Sequence, residues 1–282
     1  MNLLNEKLTD MQFNRLKNFI ETTAGIKMPY SKKIMVESRL IKRLNLLKIR
    51  DFTEYIKFVF EFADGRKEIF NLIDAITTNK TEFFRENEHF NFLRKKAVPH
   101  ILVNLSKKTD KKVKIWSAGC STGEEVYSIA ISIEEERLLG LRLSDFFIYG
   151  TDISVKVIKT AEKAIYRLDS VRSLPDFIKK RYFLKSKNKK DLLVRIKPEM
   201  REKSMFGRLN FMDENYGLEG KFHIVFCRNV LIYFDKAIQQ AIIRKILKHL
   251  DKNGFLLVGH SESLHGLDLP LKKIASSVYV KI

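Results

Sequence analysis

Cysteine is scarce in this sequence: Cys120 and Cys227 are its only two and stand outside any CxxC spacing. A disulfide framework and a cysteine-based zinc site therefore have no support. The six histidines are scattered without a ligand pattern, so no metal is expected. No run approaches the roughly 18 uninterrupted apolar residues of a membrane span, and the opening MNLLNEKLTD lacks the basic and apolar blocks of a signal peptide. This predicts a cytoplasmic protein with no membrane insertion. Acidic residues are also outnumbered, 34 against 53 basic, which leaves a formal net charge of +19. Such a charge attracts an acidic partner over long range, whether nucleic acid, an anionic membrane or an acidic protein surface.

What is present suffices for a substantial core. With 282 residues, 45% hydrophobic and 31% charged, the chain fits a catalytic domain with a smaller companion. Residues 1–75 read as all-helical. In 9–24, a Thr9 or Asp10 cap precedes Phe13, Leu16, Phe19 and Ile20 at helical spacing. In 31–47, Ile34, Leu40, Ile41, Leu44 and Leu47 fall on one face, and Lys32, Arg39, Lys42 and Arg43 gather on the other. That basic face is a candidate docking surface. Segments 51–62 and 65–76 predict two more helices.

After Ala97 the pattern changes. The apolar runs 113–120, 146–153, 222–230 and 254–262 alternate with helical patterns at 123–140, 154–166 and 235–250. Strands without polar alternation, separated by helices, predict an α/β domain with a mostly parallel sheet covered on both faces. The tail LKKIASSVYVKI predicts a final antiparallel pair, and the lysine-rich block 181–206 an inserted β-hairpin subdomain.

In such sheets ligands bind at the carboxyl ends of the strands. The loop SAGCSTGEE follows one strand, and Glu124 and Glu125 there would repel a pyrophosphate. Asp152 ends the next strand, where a carboxylate can hold a ribose hydroxyl pair. Together they suit an adenosine-containing ligand without a diphosphate, and S-adenosylmethionine fits. Arg228 and Asn229 close a further strand, with Tyr233 one turn on, while TTNKTEFFRE at 77–86 presents Asn79, Thr81 and Arg85 between packing residues Phe83 and Phe84.

NKTEFFRE, WSAGCSTGEEVYSIA, GTDIS, AIYR, RLNF, FHIVFCRNVLIYFD and GFLLVGHSESL, in this order, resemble the chemotaxis receptor methyltransferase family, commonly called CheR. The similarity spans essentially the whole chain. It implies a Rossmann-like class I methyltransferase sheet, with an N-terminal docking domain (1–75), a linker to the cofactor site (76–90) and a catalytic domain (91–282) carrying the 181–206 insertion. It implies methyl transfer from S-adenosylmethionine to receptor glutamates, leaving S-adenosylhomocysteine. The implied cofactor residues are Asn79, Thr81, Arg85, Glu125, Asp152, Asn210, Phe211, Arg228 and Asn229, with Phe211 replacing the leucine of some relatives. Arg85 and Tyr233 are the candidate catalytic residues. The implied partner is the cytoplasmic helical region of methyl-accepting chemotaxis receptors, met by a monomer recruited to membrane receptor arrays.

The alternative is a nucleic acid methyltransferase, which would explain the charge through phosphate contacts. No base-flipping motif or aromatic stacking module is evident in its favour, so no nucleic acid partner is expected. A cofactor-fold binding protein without catalysis is disfavoured by Arg85, Asp152, Asn229 and Tyr233 together.

Overall fold

The computed structural model describes residues 7–105 and 112–282. The first six residues of the expected N-terminal domain lie outside that range. Four helices follow: α1 (Asp10–Ala24), α2 (Lys33–Leu47), α3 (Phe52–Glu61) and α4 (Gly65–Ile76). Thr9 caps α1 through a reciprocal pair with Gln12, and Gly25 ends it at φ +70°. Phe13, Leu16 and Ile20 pack with Val36, Leu40, Leu44, Phe52, Tyr55, Val59 and Leu72 in one core. Each such side chain contributes about 1.5–3 kcal/mol on burial, which gives this small unit a core of its own.

Two expectations for α2 fail. Ile34 is 79% exposed, and Val36 takes the interior position with Leu40 and Leu44. Two residues at about 100° each place Ile34 about 160° from Val36, the far side of the helix. The four cations also do not form one outward face. Arg39 donates from Nη1 to the carbonyls of Ala75, Ile76 and Thr77 at 3.2, 2.8 and 2.9 Å, closing the end of α4. Arg43 grips both oxygens of buried Glu68 at 2.8 and 2.6 Å, where Tyr55 and Asn71 also donate. Lys32 is half-buried and donates to the Lys27 carbonyl at 3.0 Å. Lys42 alone of the four is exposed. The reason is α4: it packs beside α2 and supplies the carbonyls and carboxylate that the arginines meet.

The chain then passes through 77–87 to α5 (Glu88–Phe92), which continues by one π-turn at Leu93–Ala97 into α6 (Val98–Leu105). The remaining elements are β1 (Lys112–Ala118), α7 (Glu124–Leu138), β2 (Asp145–Asp152), α8 (Val155–Lys163), β3 (Ile165–Arg167), α9 (Asp176–Tyr182), β4 (Phe183–Lys185), β5 (Leu193–Ile196), α10 (Pro198–Arg201), β6 (Ser204–Arg208), β7 (Phe222–Cys227), α11 (Lys236–Lys248), β8 (Leu250–Val258), β9 (Leu271–Ala275) and β10 (Val278–Lys281). Seven strands form one sheet in the order β6-β2-β1-β7-β8-β10-β9. The first five run parallel and the last two add antiparallel. Every residue of β7 is buried, as a central strand covered on both faces requires.

The insertion differs from the expected hairpin at 181–206. β3, β5 and β4 form a separate three-stranded antiparallel sheet drawing on residues 165–196. β6, inside the expected insertion, instead pairs with β2 at the edge of the main sheet. Its short sequence SMFGR carries no signal separating a hairpin strand from an edge strand, and pairing alone decides the assignment.

Candidate active site

From β1 the chain moves outward to β2 and, past the inserted sheet, to edge strand β6, then crosses back to place β7 on the other side of β1. That reversal opens a crevice at the carboxyl ends of the three strands. A cleft of about 1040 Å³, including its open mouth, lies there. Ala24, Ile26 and Lys32 of the N-terminal domain and residues 77–82 of the linker close its other side. Asn79, Thr81, Arg85, Glu125, Asp152, Asn210, Phe211, Arg228, Asn229 and Tyr233 all line it. Of the four candidate docking residues Lys32 lines it too, while Arg39, Lys42 and Arg43 lie along a second groove.

The turn after β1 is pinned by backbone bonds. The amides of Gly119 and Cys120 donate to the Thr151 carbonyl at 2.7 and 2.9 Å. Gly119 has φ +88°, and a Cβ there would stand 2.4 Å from Val230 Cγ2, so any side chain would be strained and would force Val230 to shift. Asp152 accepts from the Ser121 and Ser154 amides, one on each oxygen, at 3.0 Å. One lone pair on each oxygen thus remains for a ligand's hydroxyl pair. Burial pushes the Asp152 carboxyl pKa up, against these two amide bonds. Ser121 Oγ donates to the Asn79 carbonyl at 3.0 Å, tying the linker to this turn.

Arg228 organises the opposite wall. Its side chain is 1% exposed and bridges Glu86 at 3.0 Å and Glu125 at 3.2 Å, while Nη2 also donates to the Arg85 carbonyl. Its Nε is buried with no hydrogen-bond partner among the described residues, leaving one donor over. Glu125 also accepts from Ser117 Oγ at 2.7 Å. Burial raises the Glu125 pKa, and Arg228 and Ser117 oppose the rise. Burial acts the same way on Glu86, but Arg228 and the Asn229 amide outweigh it and hold that carboxyl below its usual range.

The remaining site residues divide by environment. Asn210 donates to the Thr23 carbonyl at 2.7 Å and accepts from the Met212 amide, so its side chain joins the two domains at the cleft edge. Phe211 packs edge-on against Tyr216 and Phe234. Arg85 is half-buried, its Nη1 donating to the Lys80 carbonyl at 3.1 Å. Lys32 Nζ sits 5.8 Å from the centre of the Tyr233 ring, and the Tyr233 carbonyl accepts from the Lys27 amide. Burial raises the Tyr233 pKa, which keeps the phenol a hydrogen-bond donor at neutral pH. Phe83 and Phe84 are packing residues, Phe83 against Tyr166 and Phe183, and Phe84 against Phe90.

Two carboxylates that support this site from behind its lining are absent from the sequence-based set. Glu86 receives Arg228 Nη2 and Asn229 Nδ2 at 3.0 and 3.2 Å. Glu262 accepts from a row of backbone amides at 229–232. Both sit in the motifs RE and SES, yet nothing in those words distinguishes them from surface acids. The fold also unites two histidines that look scattered: Glu86, His89 and His260 place ligand-type atoms within 4.8 Å of one another. Arg228 already shares the Glu86 carboxylate, and its charge opposes a metal cation there.

The chain matches the family model "CheR methyltransferase, all-alpha domain" over residues 11–77 and "CheR methyltransferase, SAM binding domain" over 79–280. It is 36% identical to a chemotaxis protein methyltransferase of Borreliella burgdorferi over 99% of this chain and 96% of that one. A chemotaxis protein methyltransferase of Salmonella typhimurium is 35% identical over 96% and 90%, and that of Escherichia coli 34% over 96% and 91%. The N-terminal helical domain, the Rossmann-like class I sheet, the S-adenosylmethionine-type cleft between them and these full-length similarities establish that the chain belongs to the CheR methyltransferase family.

Proposed function

We propose that the protein transfers the methyl group of S-adenosylmethionine to glutamate side chains of methyl-accepting chemotaxis receptors, leaving glutamate methyl esters. The observation that carries this is the single cleft in which Asp152, Glu125, Asn229, Arg85 and Tyr233 converge from both domains. Its donor set fits the cofactor: Asp152 has acceptor capacity for a ribose, and Glu125 offers a carboxylate to a cationic amino end. When bound, the cofactor supplies an electrophilic methyl group on a sulfonium.

A glutamate side chain, with a reference pKa of about 4.3, reaches the site already ionised. It needs no proton removed, and no histidine lines the cleft among the described residues. The chain's contribution is orientation. Arg85 and the Tyr233 hydroxyl position the incoming carboxylate, and holding both reactants in line is worth several kcal/mol. The contacts must orient without full neutralisation, since a strongly paired carboxylate is a poorer nucleophile. Incubating the protein with methyl-labelled S-adenosylmethionine and a receptor cytoplasmic fragment should give base-labile label on glutamate. Base-stable label, or label on nucleic acid only, would overturn the reading.

The docking surface moves from the α2 face to the groove between α2, α4 and α8. Exposed Lys42, Lys156, Lys159 and Lys163 line it, and it shares Thr77 with the cofactor cleft. An acidic receptor helix lying there would present its glutamates beside the cleft mouth. Changing Lys156 and Lys159 together to glutamate should slow methylation of dilute receptor roughly tenfold at low salt, in the range of steering effects. The deficit should shrink in high salt, and affinity for S-adenosylhomocysteine should stay unchanged. Wild-type rates at low salt would remove the groove from the docking path. No helix among the described residues is long and apolar enough to cross a membrane. The proposed substrate, the cytoplasmic helical region of the receptors, places the protein's work in the cytoplasm, with recruitment to membrane receptor arrays through that partner.

A further inference from the structure

The segment from Asn229 to Tyr233 carries two site residues on an irregular backbone. Asn229 has φ +57°, the left-handed region that costs a non-glycine residue energy, and Leu231–Tyr233 form one tight 3₁₀ turn. Neither strand β7 nor helix α11 supplies partners for the amides of residues 229–232. One side chain does. Glu262 Oε2 accepts from the amides of Asn229 and Gly259 at 2.8 and 2.6 Å. Its Oε1 accepts from Val230, Leu231 and Ile232 at 2.8, 2.7 and 3.3 Å. Five backbone donors therefore converge on one carboxylate, which is acceptor-only when ionised.

The surroundings are built to admit this group. Glu262 is buried, and its own amide donates to the Gly259 carbonyl at 2.9 Å, closing a turn after β8. A Cβ on Gly259 would lie 2.6 Å from Asn229 Nδ2 and 2.8 Å from Glu262 Oε2. Glycine at 259 is what lets strand end, loop and carboxylate meet. On the far side of the same segment, the Tyr233 carbonyl accepts from the Lys27 amide of the N-terminal domain at 2.9 Å. The clamped segment thus leads directly into Tyr233, whose own amide donates to the Val230 carbonyl, and into a point where the two domains join.

We infer that Glu262 is a positioning residue for methyl transfer: its carboxylate clamps the 229–232 backbone and so holds the Tyr233 hydroxyl at the reacting end of the cleft. This rests on the role proposed above for Tyr233. A neutral acceptor cannot replace it, because an amide offers one oxygen and turns its NH₂ toward donors that have no other partner. The effect is on geometry, since Glu262 is not among the residues lining the cleft.

The test is a double-mutant cycle on the full chain with receptor fragment and S-adenosylmethionine. E262Q should lower kcat by about tenfold to a hundredfold, the loss expected for a displacement of about 1 Å, and shift receptor KM much less. In the Y233F background E262Q should cost almost nothing further, because the hydroxyl it positions is already gone. If the two losses multiply, or if folded E262Q turns over at the wild-type rate, the inference is overturned. Normal turnover by Y233F alone would instead overturn the Tyr233 role on which it rests, so the two failures are distinguishable. Should E262Q not fold, E262D keeps a carboxylate one methylene shorter and enters the same cycle. It should show a smaller loss in kcat that again vanishes with Y233F, and a wild-type kcat for E262D would overturn the inference equally.

Discussion

Replacing Arg228 with methionine should destabilise the protein by about 3–5 kcal/mol, the usual cost of breaking a buried ion pair from one side. The arginine is 1% exposed, and Glu86 and Glu125 are 14% and 15%, so solvent screens these charges little. Methionine fills similar space but leaves two carboxylates without their cation. It also releases the Arg85 carbonyl, so the linker that brings Arg85 to the cleft loosens. At about 2–4 °C per kcal/mol for a protein of this size class, the melting midpoint should fall by roughly 6–20 °C. The deficit should be smaller at acid pH. Without Arg228, burial raises both carboxyl pKa values above their unfolded values, and such groups lose stability as pH rises through that window. A variant melting within a degree or so of wild type, by calorimetry at neutral pH, would show that the bridge is dispensable.

Replacing Asp152 with alanine should weaken S-adenosylhomocysteine by roughly tenfold to a hundredfold, from about 1.5–3 kcal/mol for hydrogen bonds to a charged group. The same carboxylate holds the Ser121 and Ser154 amides, so the turn beside β1 loosens as well. Titration calorimetry on the folded variant checks this, and an unchanged dissociation constant would remove Asp152 from the cofactor site. In the wild-type protein, burial raises the Asp152 pKa. As pH falls the charged acceptor is lost, so cofactor affinity should begin to decline at a higher pH than an ordinary aspartate would give.

Much of the fold was readable because it rests on local rules. A Thr9 or Asp10 cap and the following apolar spacing predicted a helix over 9–24, which the structure forms as α1 with Thr9 as the cap, and uninterrupted apolar runs marked β1, β2, β7 and β8. Where periodicity alone was used to choose a face, it misplaced Ile34 and credited Arg39 and Arg43 to the outside. The insertion failed for a related reason. A strand's membership in a sheet is a pairing decision, and neither LLVRI nor SMFGR names its partner.

By itself the sequence determined the four N-terminal helices, the main strands β1, β2, β7 and β8, the α/β class, the strand-end position of Asp152 and the order of motifs that pointed to the family. These follow from spacing along one chain, which the backbone geometry of helix and strand converts directly into faces and ends. Only the tertiary structure decided which charges are engaged and which are free. It turned Arg39 and Arg43 inward, gave Glu86 to Arg228 and Asn229, and set Glu262 under five amides contributed by two separate loops. A charged side chain takes its function from the partner opposite it, and in each of these cases that partner comes from another element brought near by the fold.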